Sequence, residues 1–203
     1  MKNTKVKALI CGFIFSVLFS FTGFFNKCDC ISSKIFRLHI IANSNSKEDQ
    51  DLKLKVRDRI LKDFGEYFNN LNDLTAAKEL TRENIEKIKK SAKDEIILNG
   101  YDYDVDACVM SMYFNNRKYG DFTIPAGKYD ALRITIGKAK GKNWWCVMFP
   151  SICIGSSEDN KVDTVFDENE KDIIKNEENY QFKFKCVEVY EECKSWVKGL
   201  FES

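Results

Sequence analysis

The sequence has little histidine, little proline and no excess of charge of either sign. Its one histidine and eight cysteines give no support for a zinc site, because the cysteine spacings do not repeat and include no CxxC. The 32 basic and 31 acidic residues leave a formal net charge of +1, which removes the electrostatic case for nucleic-acid binding. We therefore predict no metal, no cofactor, no nucleic-acid partner and no small-molecule substrate.

What the chain does contain is apolar residues enough for one core. Hydrophobic residues make up 44% of the 203 positions, and 16 of them are phenylalanine, which suits one domain with appendages. Residues 8–25 are uncharged and apolar and follow Lys2, Lys5 and Lys7. This pattern predicts that residues 1–30 are a signal peptide or a membrane anchor and that everything after them is exported. The absence of a small-x-small pattern leaves cleavage open.

Alternation and helical spacing predict the order of elements in the core, residues 34–154. Residues 34–44 read as a strand and turn, with Leu38 and Ile40 on one face and Arg37 and His39 on the other. Ser46 predicts the N-cap of a helix over 47–68, and a second helix is predicted over 75–99. Strands over 104–114, 129–136 and 143–149 follow. The fold class is therefore α+β, a mainly antiparallel sheet packed by two to three helices.

The last quarter of the chain changes composition. Residues 155–179 are rich in acids and poor in apolar residues, which predicts a surface loop or linker. In residues 180–203, Phe182, Phe184 and Cys186 alternate with lysines. This alternation predicts an edge strand over 182–187, followed by a C-terminal helix that completes the domain.

The first helix carries charge inside its apolar arc. Asp49, Lys53 and Arg57 recur every four residues and lie among the hydrophobic positions. One interpretation is an intrahelical salt bridge whose long side chains reach the edge of the apolar face. The other is a polar network that fixes the helix against the first strand or contacts a partner.

Residues 140–153, KGKNWWCVMFPSIC, contain glycine with lysines, two adjacent tryptophans and two cysteines. Gly137 and Gly141 predict a hairpin loop, because the glycine spacing and the following strand do not match a phosphate-binding loop. Trp144 and Trp145 must point to opposite faces of a strand. One should pack under the helices, and the other should lie beneath the acidic segment or the C-terminal helix, or contact a partner.

Three further hypotheses involve residues of this stretch. His39 and Cys146, with Asn143 or Asp130 orienting the imidazole, would form the dyad of a cell-wall hydrolase. Either tryptophan, with Tyr129 and Arg133, would form a stacking surface for glycan or peptidoglycan. Cys146 and Cys153 are the cysteines whose pairing should be tested first, since Pro150 can turn the chain between them.

Several long segments resemble one protein family. RLHIIANSNSKEDQDLKLKVRD, PAGKYDALRITIGKAKGKNWWCVMFPSIC and FKFKCVEVY occur in the order typical of the stage II sporulation protein R family of endospore-forming Firmicutes. The similarity covers most of residues 36–149 and the C-terminal segment. Asn115 and Ser151 stand where the family usually has proline, which affects the local turns.

This resemblance implies a developmental signal rather than an enzyme. Such proteins are made in the forespore and exported into the intermembrane space, secreted or anchored through the N-terminal segment. There they activate a membrane-embedded aspartic protease that processes the precursor of the mother-cell factor sigma-E. For this chain we expect the partner surface among residues that are hard to explain as core, namely Arg37, His39, Asn43, Asp49, Gln50, Lys53, Arg57, Tyr119, Arg133, Trp144 and Trp145.

Overall fold

The computed structural model describes residues 21–71, 73–150 and 158–201, together with Gly12 and Ser16. Within them, residues 21–32 are helical and form the described part of α1. The strands are β1 (Phe36–Ile41), β2 (Val105–Phe114), β3 (Arg117–Tyr119), β4 (Phe122–Ile124), β5 (Gly127–Ile136) and β6 (Asn143–Phe149). The other helices are α2 (Lys47–Asn69), α3 (Leu74–Glu83), α4 (Ile85–Leu98), α5 (Glu158–Val165), α6 (Glu168–Lys175) and α7 (Glu177–Phe201).

Four strands form the main sheet in the order β2-β5-β1-β6. β5 pairs with β2 and β1 with β6 in antiparallel fashion, but the central pair, β1 and β5, is parallel. The α+β class is confirmed, whereas the sheet is mixed and more helices than predicted surround it. The parallel pair has a physical basis in β1, because all six of its residues are buried and central parallel strands are covered on both faces.

The face of the sheet that carries Leu38 and Ile40 packs against α2, α3 and α4. Its buried cluster includes Val56 and Ile60 of α2 and Ala92 of α4. Helix α2 begins as predicted, since the Ser46 side chain accepts a hydrogen bond from the Asp49 backbone N–H. This layer supplies a rigid support on which the ends of the strands are positioned.

The opposite face is covered only in part, by α1, β4 and the C-terminal helices. Ile31 of α1, Phe166 after α5, Ile174 of α6 and Phe184 of α7 belong to one buried cluster with Tyr129 and Val147 of the sheet. Phe24 of α1 stacks on Tyr180 of α7, with ring centroids 5.5 Å apart. The sheet is therefore the middle layer of three, and part of its second face is left open.

The predicted helix over 75–99 is interrupted at Asn84. Asn84 ends α3 and precedes α4, and its side chain donates a hydrogen bond to the Leu80 carbonyl at 2.9 Å. Asparagine forms such local side-chain bonds readily and so competes with a continuous helix. Two shorter helices can then each direct apolar residues at the sheet.

The acidic segment and the C-terminal strand were predicted wrongly. Residues 155–179 contain α5 and α6, in which Val162, Ile173 and Ile174 are buried, and Asp167 with Glu170 forms a capping box at the start of α6. Residues 182–187 lie within α7 rather than in a strand. Phe184 and Val187, three residues apart, are buried while Phe182 is 74% exposed, which is helical spacing.

No helix in the described ranges is both long enough and apolar enough to cross a membrane. Most of the predicted leader, residues 8–20 apart from Gly12 and Ser16, lies outside the described residues. The signal-peptide or anchor assignment of residues 1–30 stays a prediction.

Candidate functional site

One row of side chains crosses the partly uncovered face of the sheet. The strand registers place Cys108 beside Arg133, Arg133 beside His39, and His39 beside Trp145. His39 is buried, whereas Arg133 and Trp145 are half-buried and Cys108 is exposed. Side chains in such a row are direct neighbours, because paired positions on adjacent strands share a face.

Residues around this row extend it into a continuous basic and aromatic surface. The guanidinium of Arg117, from the small β3–β4 hairpin, lies 5.9 Å from the centre of a Trp145 ring. Met110 is 37% exposed, Asn143 is exposed and Thr135 is half-buried beside them. We call this surface the open sheet face and define it by Cys108, Met110, Arg117, Arg133, Thr135, Asn143 and Trp145. Arginine and tryptophan are the residues most enriched at binding hot spots.

Arg37 lies on the same side of β1 but in a closed aromatic cage. Its side chain is fully buried, with the guanidinium carbon 4.1 Å from the Phe114 ring centre and 5.0 Å from that of Tyr129. Its Nη2 donates a hydrogen bond of 2.6 Å to the hydroxyl of Tyr119. Burial raises the pKa of Tyr119, although Arg37 opposes this. The predicted residues Arg37 and Tyr119 are therefore brought together beneath the surface.

His39 forms the floor between the cage and the open sheet face. Its Nε2 lies 2.9 Å from the Asn143 Oδ1, and its ring meets those of Phe114 and Trp145 edge to face. Burial lowers the pKa of His39, the Asn143 bond opposes this, and Arg133 and Arg37 lower it further. The neutral imidazole is thus the form that the fold favours.

Four of the predicted residues, Asn43, Asp49, Gln50 and Lys53, form a network that joins the start of α2 to the loop of residues 137–142 between β5 and β6, and we call it the loop network. The predicted hairpin is not formed, because β1 lies between β5 and β6 in the sheet and the loop passes over the end of β1. The Asp49 carboxylate accepts hydrogen bonds from Asn43 Nδ2 at 2.8 Å and from Ser44 Oγ at 2.5 Å. The Asn43 Oδ1 in turn accepts from the Lys138 backbone N–H at 2.9 Å. Burial alone would raise the pKa of Asp49, but the bonds from Ser44 and Asn43 lower it below its usual value.

Lys53 connects the same helix to the loop between β5 and β6, and both oxygen atoms that accept its hydrogen bonds are uncharged. Its Nζ donates to the Gln50 Oε1 at 2.7 Å and to the Lys142 carbonyl at 2.9 Å. Burial, with the charges of Arg57 and Lys142, lowers the pKa of Lys53. Among the described contacts, the Lys53 ammonium makes no ion pair with Asp49, so the salt-bridge interpretation of this spacing is wrong. The network interpretation is the one that the geometry supports.

Arg57 and Trp144 meet on the helix-covered face. The Arg57 guanidinium lies 4.9 Å from a Trp144 ring centre and 2.7 Å from the Asp58 carboxylate. Trp144 packs against the core cluster beneath α2, which confirms that one tryptophan lies under the helices. Trp145, one residue later, belongs to the open sheet face.

The predicted residues thus separate into three groups. Arg133 and Trp145 are at the surface with His39 below them, Arg37 and Tyr119 are in the cage, and the remaining six are in or beside the loop network. Arg117 was missed, because NNRKYG was interpreted as a turn. The hairpin that it forms carries Arg117 from β3 to the open sheet face, and its basic-aromatic composition was the available signal.

The proposed hydrolase dyad is not formed. Cys146 is paired with Leu38 on the helix-covered face, whereas His39 points to the other face. Cys146 is moreover disulfide-bonded, and so it has no thiol to act as a nucleophile. Its predicted partner, Cys153, lies outside the described residues, so this pairing stays a prediction. In the described ranges, no group of three potential ligands could hold a metal ion.

Comparison with known proteins agrees with the sequence motifs. The family model for stage II sporulation protein R matches residues 32–159, which is well over half of the chain. The chain belongs to the stage II sporulation protein R family. A curated member, stage II sporulation protein R of Bacillus subtilis (strain 168), is 34% identical over 123 residues, covering 61% of this chain and 55% of the relative. The chain therefore matches about half the length of that relative, and no solved structure matches.

The matched region contains every residue of the candidate site. The loop network, the aromatic cage and the open sheet face all fall within residues 32–159. A role in sporulation follows from the family, which is not a known enzyme family.

Proposed function

We propose that this chain is an exported sporulation signal that contacts a membrane-embedded aspartic protease and thereby promotes processing of the sigma-E precursor. Export from the forespore into the intermembrane space, with the N-terminal segment either cleaved or retained as an anchor, belongs to the same proposal. The observation that carries it is the open sheet face of this chain. There Arg117 lies beside the ring of the half-buried Trp145, and Arg133 lies on the other side of His39.

Physical reasoning favours this surface over the other predicted residues as the place of contact. In the loop network, Asp49 and Lys53 are buried and their hydrogen bonds are made within the chain. Arg133 and Trp145 are instead half-buried and are supported from below by His39 and Phe114. Anchors held in place by a rigid sheet lose little conformational freedom on binding, which favours affinity.

Binding at this surface would act by changing a population of protease states. A ligand shifts a conformational equilibrium only by its difference in affinity for the two states. The arginines would pair with acidic groups, and Trp145 would pack against an apolar site, that are brought together only in the active arrangement of the protease. Activation then requires no chemistry from the chain itself.

The test is co-expression of the full chain with the protease and the sigma precursor. Processing is followed by immunoblot for wild type, Trp145→Ala, and the pair Arg117→Ala and Arg133→Ala. Truncation of a hot-spot residue costs on the order of 2 kcal/mol, or roughly 30-fold in affinity, so processing should fall strongly at limiting expression. Arg82→Ala, an exposed arginine on α3, is the matched control and should process normally.

Thermal unfolding of each variant separates loss of contact from loss of fold. The proposal fails if folded Trp145→Ala and double-arginine variants process the precursor as wild type does. It fails also if the protein binds purified peptidoglycan through this surface without the protease, which would favour the glycan-binding alternative.

A further inference from the structure

The charge of Arg37 is balanced by no carboxylate among the described residues. The side chain is fully buried, and the one hydrogen bond that it makes with described residues goes to a neutral phenol, that of Tyr119. Its Nε and Nη1 are buried and have no hydrogen-bond acceptor among the residues that the structure describes. Arginine cannot lose its proton in a protein, so the charge persists in the interior.

Such an arrangement is costly unless something else completes it. Aromatic faces offset part of the cost through cation–π attraction, and Phe114 and Tyr129 provide two of them. They do not satisfy N–H groups, and each buried donor without an acceptor costs about 1–3 kcal/mol. An uncompensated buried charge adds to this penalty.

A second buried donor lies against the same aromatic ring. Trp145 Nε1 has no hydrogen-bond partner in the described part of the chain, and the Trp145 ring centre is 5.4 Å from that of Phe114. Arg37 contacts the Phe114 ring as well. Indole nitrogen is a donor only, so Arg37 and Trp145 both lack acceptors in one region.

We propose that Arg37 and Trp145 bind one small inorganic monovalent anion, with chloride as the ligand to test. An anion supplies acceptor capacity and neutralises the guanidinium at once, whereas a water molecule supplies only the first. Arg117, 5.9 Å from the Trp145 ring, and Arg133, beside His39, make the potential on this side of the sheet positive. That potential raises the local concentration of anions at the side from which Trp145 is accessible.

The first experiment measures halide dependence of folding. Full-length protein in neutral detergent is unfolded with urea in sodium chloride or sodium bromide, each mixed with sodium gluconate to constant ionic strength. Gluconate is too large for the cage, so it controls for screening. Above the half-saturating concentration, each tenfold rise in halide should raise the folding equilibrium constant about tenfold, the linkage slope for one site. Equal stability in all mixtures would overturn the proposal.

Two pairs of variants assign the site. Arg37→Met should abolish the halide dependence, while Arg133→Met, an arginine of the open sheet face, should retain it. Trp145→Phe should raise the half-saturating concentration several-fold, while Trp144→Phe, on the opposite face of the same strand, should leave it unchanged. Identical halide curves for the two tryptophan variants would remove Trp145 from the site.

Crystals of wild-type protein grown in bromide give a readout that does not depend on the folding of Arg37→Met. An anomalous bromide peak within hydrogen-bonding distance of the Arg37 guanidinium is expected. A water molecule at that position, with no anomalous signal, would show that the donors are hydrated and would overturn the assignment.

Discussion

Replacement of Gly141 by alanine tests whether the loop network holds the fold together. A Cβ atom added at Gly141 would overlap the Ser44 carbonyl oxygen and would lie only 2.7 Å from the Ala42 Cβ. Ordinary carbon contacts are about 3.5–4.0 Å, so the loop between β5 and β6 must move by roughly 1 Å. The obstructing atoms are mostly backbone, which cannot rotate away.

The magnitude follows from the hydrogen bonds that this movement breaks. Gly141 N–H donates to the Ala42 carbonyl at 2.9 Å, and Lys140 N–H donates to the Asn43 carbonyl at 3.1 Å. Each such bond contributes about 1 kcal/mol, and loss of the bond from buried Lys53 to the Lys142 carbonyl adds a comparable amount. Reduced entropy of the unfolded chain offsets up to about 1 kcal/mol. We expect Gly141→Ala to lower the free energy of unfolding by about 2–3 kcal/mol.

Urea denaturation followed by circular dichroism measures this difference. Gly100→Ala is the matched control, since Gly100 has a φ of 83° but no atom within 4 Å of its added Cβ. Its cost should be about 1 kcal/mol, from backbone strain alone. A Gly141→Ala variant as stable as wild type, or no less stable than Gly100→Ala, would refute the reasoning.

Four further predictions concern single groups. Hydrogen bonds keep the pKa of Asp49 below its usual value, so the stabilisation by its carboxylate is present above about pH 4 and is lost as pH falls through the folded pKa. The stability difference between wild type and Asp49→Asn should therefore shrink in acid, and a constant difference would contradict this. Burial lowers the pKa of His39 in the folded protein. Wild type should therefore lose stability below about pH 6.5, the pKa of histidine in the unfolded chain, because the unfolded chain then takes up a proton. His39→Phe should show a flatter stability profile between about pH 7 and 5. Cys146→Ser should lower the free energy of unfolding by about 2 kcal/mol, whereas Cys108→Ser, at a free exposed thiol, should leave it unchanged. Non-reducing peptide mapping should identify a disulfide between Cys146 and Cys153. Glu170→Ala removes both the capping-box side chain of α6 and the 2.6 Å salt bridge to Lys34. It should lower the free energy of unfolding, measured by urea denaturation, by about 2 kcal/mol. Glu168→Ala, on the exposed side of α6, should lower it by well under about 1 kcal/mol.

The layout of the core was predictable because its patterns are strong. Period-two alternation located β5 and β6 and assigned Leu132 and Ile134 to one face and Ala131 and Arg133 to the other, as observed. The Ser46 cap located the start of α2. Each of these signals is local, so a short stretch of sequence contains it completely.

The last quarter of the chain was predicted less well because its signals depend on tertiary context. Val162 and Ile173 are few among many acids, and only the uncovered half of the sheet gives their small apolar faces something to pack against. Alternation of Phe182 and Phe184 with lysine matched a strand, but burial of Val187 with Phe184 follows the helix. In this part of the chain, the surface against which a segment packs decides whether it forms a helix or a strand.

The candidate site shows the same division. The sequence identified Arg37, His39 and Trp145 as unusual, but the separation of cage from surface depends on strand register across long distances. Asp49 and Lys53 share a helical face, yet Lys53 bonds to the Lys142 carbonyl, a contact that no spacing within α2 could indicate.

The parallel pairing of β1 with β5 also sets the order in which the chain can fold during synthesis. β1 ends at Ile41, but both strands that flank it, β5 and β6, begin only at Gly127 and Asn143. A nascent chain must therefore reach about residue 149, the end of β6, before the middle of the sheet is complete. Until then Leu38 and Ile40 have only the helices to pack against, so contacts of high sequence separation should make folding slow and leave early chains dependent on protection from aggregation.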